Sequence, residues 1–255
     1  MCFDTDSHPP IAPIAGAAVD GAQVTLRAAD GNRLLAYRAR AKAPGRARML
    51  VLPDVRGLFP FYEELALRFA EAGIDSVAID YFGRTAGTGP RGADFEARPH
   101  VDRTTWAGLS ADIAAGVAEL RSGGHDDART FAVGFCFGGR LAFDAATLGL
   151  GLAGVIGFYG VPVGPRLDLP APAEVASAME CPVLGLFGGA DPGIPADMIA
   201  TFEDALGAAS VPHELVSYAG APHSFFDRKA AEYGDASEDA WRRVLAFVET
   251  RSASA

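Results

Sequence analysis

The sequence predicts an α/β domain in which a mostly parallel sheet carries helices on both faces. Three observations lead there. Apolar runs of strand length alternate with segments of helical period along most of the chain. A Gly-x-Cys-x-Gly motif, Gly134 to Gly138, sits where one of those strands gives way to a helix. Later strands are followed by loops bearing Asp191 and His223. A chain of 255 residues is long enough for one such domain with a sizeable core. No internal repeat, low-complexity tract or linker divides it. The expected organisation is a loose tail over 1–20, rich in Pro and Ala, and a single domain over 21–255.

Gln23 to Ala28 alternates apolar and polar, Ala29 to Asn32 is a turn cluster, and Arg33 to Ala39 is a second strand. This predicts an antiparallel hairpin at the start of the domain. Met49 to Pro53 is a short apolar strand. Phe61, Leu65 and Phe69 recur at helical spacing before Gly73, and Ile74 to Asp80 is the next strand. Strand, helix, strand implies parallel pairing.

Tyr81 to Thr104 has little periodicity and carries Arg84, Arg91, Arg98, His100 and Arg103. It reads as a long functional loop at the carboxyl end of a strand. A helix is expected over 105–121, the elbow strand over 130–135 and its helix over 140–148. Strands follow at 153–159, 182–187 and 214–218, with a helix at 196–206 and a last one near 237–250. The four prolines between Gly160 and Ala173 predict irregular chain.

Composition excludes several classes. The formal net charge of −10 opposes nucleic acid and anionic membrane surfaces. No apolar run approaches bilayer length, and Met1 to Pro10 has no basic region of a signal peptide. Cys2, Cys136 and Cys181 are odd in number without CxxC spacing, neither a disulfide framework nor a zinc site. A working thiol suits a reducing cytoplasm. No metal or organic cofactor is implied.

The flanking glycines of the motif have a steric reason, because the strand-to-helix turn leaves no room for side chains beside its nucleophile. Cys136 stands where such turns usually carry serine. Taken singly, Cys136 could be a buried core cysteine, Asp191 a turn residue before Pro192, and His223 a loop histidine. Taken together, they follow three different strands in the order nucleophile, acid, base, which is the order of the α/β-hydrolase fold. His223 would take the thiol proton, and Asp191 would orient the imidazole. His8, His100, His125 and His213 do not follow a late strand in that order.

From about Met49 to Val248 the chain resembles the dienelactone hydrolases, the cysteine-dependent branch of that fold. The motifs are Gly-Phe-Cys-Phe-Gly-Gly at 134–139, Phe-Gly-Gly-Ala-Asp-Pro-Gly-Ile-Pro at 187–195 and Ala-Gly-Ala-Pro-His-Ser-Phe at 219–225. The resemblance implies a triad of Cys136, Asp191 and His223. It also implies an oxyanion hole from the backbone N–H groups of Val55 and Phe137, and an acid after the first core strand that modulates the nucleophile. That acid is glutamate in the family and Asp54 here, one methylene shorter. The family holds a substrate carboxylate with arginines. Arg228 lies five residues after His223, next to the family position, which Asp227 fills. Arg84, Arg98 and Arg103 are the loop candidates.

The expectation is an α/β-hydrolase without a large cap, a monomer or small homo-oligomer. It would cleave a small ester or lactone, dienelactone-like and open to an anionic substrate, through a Cys136 thioester. A broad carboxylesterase or acyl-transfer enzyme is the alternative within enzymes. A non-catalytic binding or thiol-sensing protein on the same fold is the rival from another class.

Overall fold

A computed structural model describes residues 7–14, 17, 19–124, 127–227 and 229–253. Eight strands form one sheet in the order β1-β2-β4-β3-β5-β6-β7-β8. β1 (Val19–Arg27) and β2 (Arg33–Ala41) are the expected antiparallel hairpin, closed by the Arg27 to Arg33 pairing. β2 also runs antiparallel to β4 (Asp75–Ile79). β4, β3 (Ala47–Leu52), β5 (Arg129–Phe135), β6 (Gly154–Phe158), β7 (Val183–Gly188) and β8 (His213–Tyr218) are parallel. β3 and β5 are central and almost wholly buried, which is why they read as continuous apolar runs rather than alternating ones.

β1 begins at Val19 rather than Gln23, because Gly21 and its neighbours pair with Ala39 and onward along β2. Of the remaining 1–20 segment, residues 1–6, 15, 16 and 18 lie outside the described residues. His8 Nδ1 lies 2.8 Å from Glu64, and the Ile14 N–H donates to Glu71 at 3.0 Å.

The helices are α1 (Pro60–Glu71), α2 (Gly83–Ala86), α3 (Arg98–Val101), α4 (Trp106–Arg121), α5 (Phe137–Ala145), α6 (Ala196–Ala208) and α7 (Gly234–Ser252). The aperiodic 81–104 stretch thus contains two four-residue helical turns. It is pinned by a buried ion pair. Arg91 donates to both oxygens of Asp80, at 2.7 and 3.2 Å, and to the Gly87 carbonyl. Asp80 also accepts the N–H groups of Leu58 and Phe82. Every oxygen of that buried carboxylate is therefore answered, as burial of a charge requires. On α7, Val244 and Val248 are buried, and the Trp241 ring sits 4.9 Å from that of Phe69 on α1. Among the described residues no helix is long and apolar enough to cross a membrane.

Candidate active site

β5 ends at Phe135 and α5 starts at Phe137, so Cys136 makes the whole turn. Its φ of 55° and ψ of −109° are a strained combination for a residue with a Cβ. The strain is held from both sides. The Cys136 N–H donates to Phe158 O at 3.0 Å, and its carbonyl accepts from the Arg140 N–H at 3.1 Å. The glycines are obligatory. A Cβ on Gly134 would overlap the Gly138 carbonyl, and one on Gly138 would overlap the carbonyls of Leu52 and Pro53. That second contact seats the loop after β3, with Asp54 and Val55, directly against the first turn of α5. Phe137 is the first residue of α5. Its N–H therefore has no intrahelical acceptor and lies at the positive end of the helix dipole.

His223 follows β8 and Asp191 follows β7. His223 Nδ1 lies 2.6 Å from Asp191 Oδ2. Burial works to raise the Asp191 pKa. The hydrogen bond and charge of His223, with the N–H groups of Gly193 and Ile194, outweigh it and hold the carboxyl below its usual range. The His223 ring lies 4.8 Å from the ring of Tyr159, which directly follows β6. Phe158, which accepts the Cys136 N–H, immediately precedes Tyr159, so these contacts tie the imidazole loop to the elbow.

Three fully buried tyrosines line the region, and sequence reasoning assigned them no part in the site. Tyr62 on α1 donates to Asp54 Oδ2 at 2.6 Å and accepts the Asp54 N–H at 3.1 Å. Tyr81 donates to Pro53 O at 2.8 Å, and its ring meets Phe137 edge-on at 5.6 Å. Tyr159, with φ of 38°, donates to Asp227 Oδ2 at 2.7 Å. Burial first, then neighbouring carboxylates, hold all three phenols well above their usual range, so they act as neutral donors. Both Tyr81 and Tyr159 lie near enough to Asp54 and Cys136 to feel a charge on either, which places those two residues around the same pair of rings. Asp54 Oδ1 accepts the Arg56 N–H at 2.7 Å. Tyr159 stands after a strand next to the elbow strand, and Asp227 four residues beyond His223. Those positions are the only signal the sequence offered.

Two of the arginine candidates, Arg84 and Arg98, have other partners. Arg84 donates to Asp30 at 2.5 Å and to Asp112 at 2.9 Å, tying the β1–β2 turn to α4. Arg84, expected to take part in carboxylate recognition, is engaged by these two aspartates. Arg98 pairs with Asp102 within one exposed turn. Arg103 lines a small cleft with Arg84 and Asp112. Arg228 lies outside the described residues, as do Cys2 and His125. Asp227, at the family's arginine position, is buried. Cys181 is also buried, and burial, then Glu180, pushes its thiol up to about 12. His100 bonds Thr85, and His213 lies 2.7 Å from the Val211 carbonyl.

The model of the dienelactone hydrolase family matches residues 34–252. The chain belongs to the dienelactone hydrolase family. A Salmonella typhimurium strain LT2 protein named "Putative carboxymethylenebutenolidase" is 31% identical over 94% of this chain and 96% of its own length. The carboxymethylenebutenolidase of Rhodococcus opacus is 32% identical over 79% of this chain and 80% of its own. Among solved structures, one titled as a putative dienelactone hydrolase from Klebsiella pneumoniae subsp. pneumoniae MGH 78578 superposes with a TM-score of 0.81 at 27% identity. It covers 91% of this chain and 99% of that one. As a dienelactone hydrolase family member, the protein is a hydrolase on the α/β-hydrolase fold.

Proposed function

We propose that this hydrolase cleaves small esters or lactones through a covalent thioester on Cys136. The observation that carries the reading is the Asp191–His223 hydrogen bond, made at the same edge of the sheet as the strained Cys136 turn. His223 faces Asp191 through Nδ1, which leaves Nε2 for the nucleophile's proton. The Cys136 sulfur attacks the substrate carbonyl. The developing oxyanion takes the N–H groups of Phe137 and Val55. The acyl–oxygen bond breaks, and His223 gives its proton to the departing alkoxide. Water, deprotonated by His223, then attacks the thioester and releases the carboxylic acid and the Cys136 thiol. In a lactone the alcohol and the acid stay in one product.

Asp54 is assigned the role of the acid that tempers the nucleophile. It shares Tyr81 and Tyr159 as neighbours with Cys136, and like charges disfavour one another at close range. The reaction needs no cofactor. A thiol nucleophile suits a reducing cytoplasm, and the substrate partner is a small molecule.

The test is hydrolysis of a dienelactone, a neutral aryl ester and an aryl thioester by wild type and by Cys136→Ala. The expected loss in the variant is about 10³-fold or more. Hydrolysis surviving in Cys136→Ala would place the nucleophile elsewhere and defeat the reading.

A further inference from the structure

Arg140 lies on the first turn of α5, four residues after Cys136, and only 1% of it is exposed. Its backbone and its side chain both grip chain that borders the elbow. The Arg140 N–H donates to the Cys136 carbonyl at 3.1 Å. That carbonyl belongs to the same peptide unit as the Phe137 N–H, and a trans peptide points the two in opposite directions. Fixing the carbonyl along α5 therefore aims the Phe137 N–H out of the mouth of the helix, where an oxyanion would lie.

The guanidinium reaches the other way, into the irregular 160–173 chain that follows β6. Its Nη2 donates to the Gly164 carbonyl at 3.0 Å and to the Pro170 carbonyl at 2.5 Å, so one side chain pinches the base of the intervening turn. The Leu169 N–H closes that turn on the Arg166 carbonyl at 3.1 Å, and Asp168 accepts the Trp106 N–H at 3.0 Å. From the turn, the Arg166 guanidinium carbon rests 5.3 Å from the centre of the Phe137 ring. Tyr81 meets the same ring edge-on at 5.6 Å. Phe137 is thus held between the loops after β4 and β6, and the second of these is set by Arg140. The chain leaving β6 is already pressed on α5 at Gly160, where a Cβ would overlap the backbone of Gly139 and Arg140.

Burying a guanidinium is costly, and an apolar side chain could fill the same space. The neighbouring acid does not account for it. Asp144 Oδ2 is 3.9 Å from Arg140 Nε, too far for a hydrogen bond, and burial pushes that carboxyl up to about 8. At neutral pH the pair is therefore a cation beside a neutral acid. What Arg140 does gain is the two loop carbonyls.

We infer that Arg140 is a positioning residue for the oxyanion hole, holding the loop after β6 against Phe137 so that the Phe137 N–H stays aimed at the carbonyl under attack. The inference rests on the thioester-hydrolase reading. It calls for a defect in acyl transfer that spares the thiol itself. Alkylation of Cys136 by iodoacetamide forms an S–C bond at a methylene, expels iodide and builds no oxyanion.

The test is Arg140→Met, which keeps the length of the side chain and, with Asp144 protonated, strands no charge. On 4-nitrophenyl acetate kcat, normalised to titrated Cys136, should fall about 10- to 100-fold with KM changed little, the size expected of a misaimed oxyanion donor. The iodoacetamide rate and its pH profile should stay within about twofold of the wild type. Arg140→Lys should recover part of kcat, since an ammonium still reaches a loop carbonyl. Arg166→Met, which leaves the buried pair intact, should lower kcat in the same way, and adding it to Arg140→Met should lower it little further. Wild-type kcat in Arg140→Met or in Arg166→Met, an alkylation rate that falls in step with kcat, or losses that multiply in the double variant would overturn the inference and leave the Cys136 reading standing. Hydrolysis that survives in Cys136→Ala would instead defeat the parent reading, and this inference with it.

Discussion

Asp144 lies on α5, two turns beyond Cys136, fully buried. Arg140 Nε is 3.9 Å away, and neither carboxylate oxygen has a hydrogen-bond partner among the described residues. Burial pushes its pKa up from 3.8 to about 8, against the pull of Arg140. The folded carboxyl is therefore protonated across a range in which the unfolded one is ionised. Between those values the unfolded state binds fewer protons, so stability falls as pH rises. The slope is about 1.4 kcal/mol per pH unit, and the whole window amounts to on the order of 5 kcal/mol. Asp144→Asn removes the titration while keeping the shape. Urea unfolding of both proteins from pH 5 to 8.5 should show the variant gaining on the wild type by about 1.4 kcal/mol per unit up to about pH 8, then levelling. Carboxylates with lowered pKa, such as Asp191, bend both curves the opposite way at low pH and cancel in the difference. Parallel curves for the two proteins would refute the reasoning, since they would mean that Asp144 is ionised or solvated in the folded state.

Two further substitutions test the packing around the site. Arg91→Met leaves the Asp80 charge buried with only backbone donors. It should cost about 3–5 kcal/mol in urea unfolding and speed proteolysis within 81–104; a cost below about 1 kcal/mol would show that water reaches the pair. Gly134→Ala drives a Cβ into the Gly138 carbonyl, so the turn must shift. We expect a loss of about 4 kcal/mol or more together with esterase activity, and a variant that keeps wild-type kcat would contradict the steric account.

The strands were legible because their signals are local. The central ones are short apolar runs, and Gly134 of the elbow is dictated by a backbone contact only four residues away. The order of Cys136, Asp191 and His223 could be read for the same reason, since each lies shortly after the end of a strand. What the sequence withheld is long-range. Arg84 reads as a free loop cation until Asp30 and Asp112, 54 and 28 residues distant, are seen to claim it. Tyr62, Tyr81 and Tyr159 read as ordinary core aromatics, because nothing local shows that their hydroxyls meet Asp54, Pro53 and Asp227. The turns α2 and α3 are too short to show a period.

The sheet order also sets a timetable for biosynthesis. β3, β4, β5 and β6, which together build and brace the elbow, are complete by Phe158, whereas Asp191 and His223 wait for β7 and β8. His223 leaves the ribosome 87 residues after Cys136 (223 − 136), a delay of roughly 4–17 s at ordinary elongation rates. From Phe158 onward the strands that brace the Cys136 turn are all made, while His223, the base of the proposed reading, is still to come. On the proposed reading catalysis waits for β8, so a chain cut short by a premature stop or by a protease before that strand would hold the thiol without turning over.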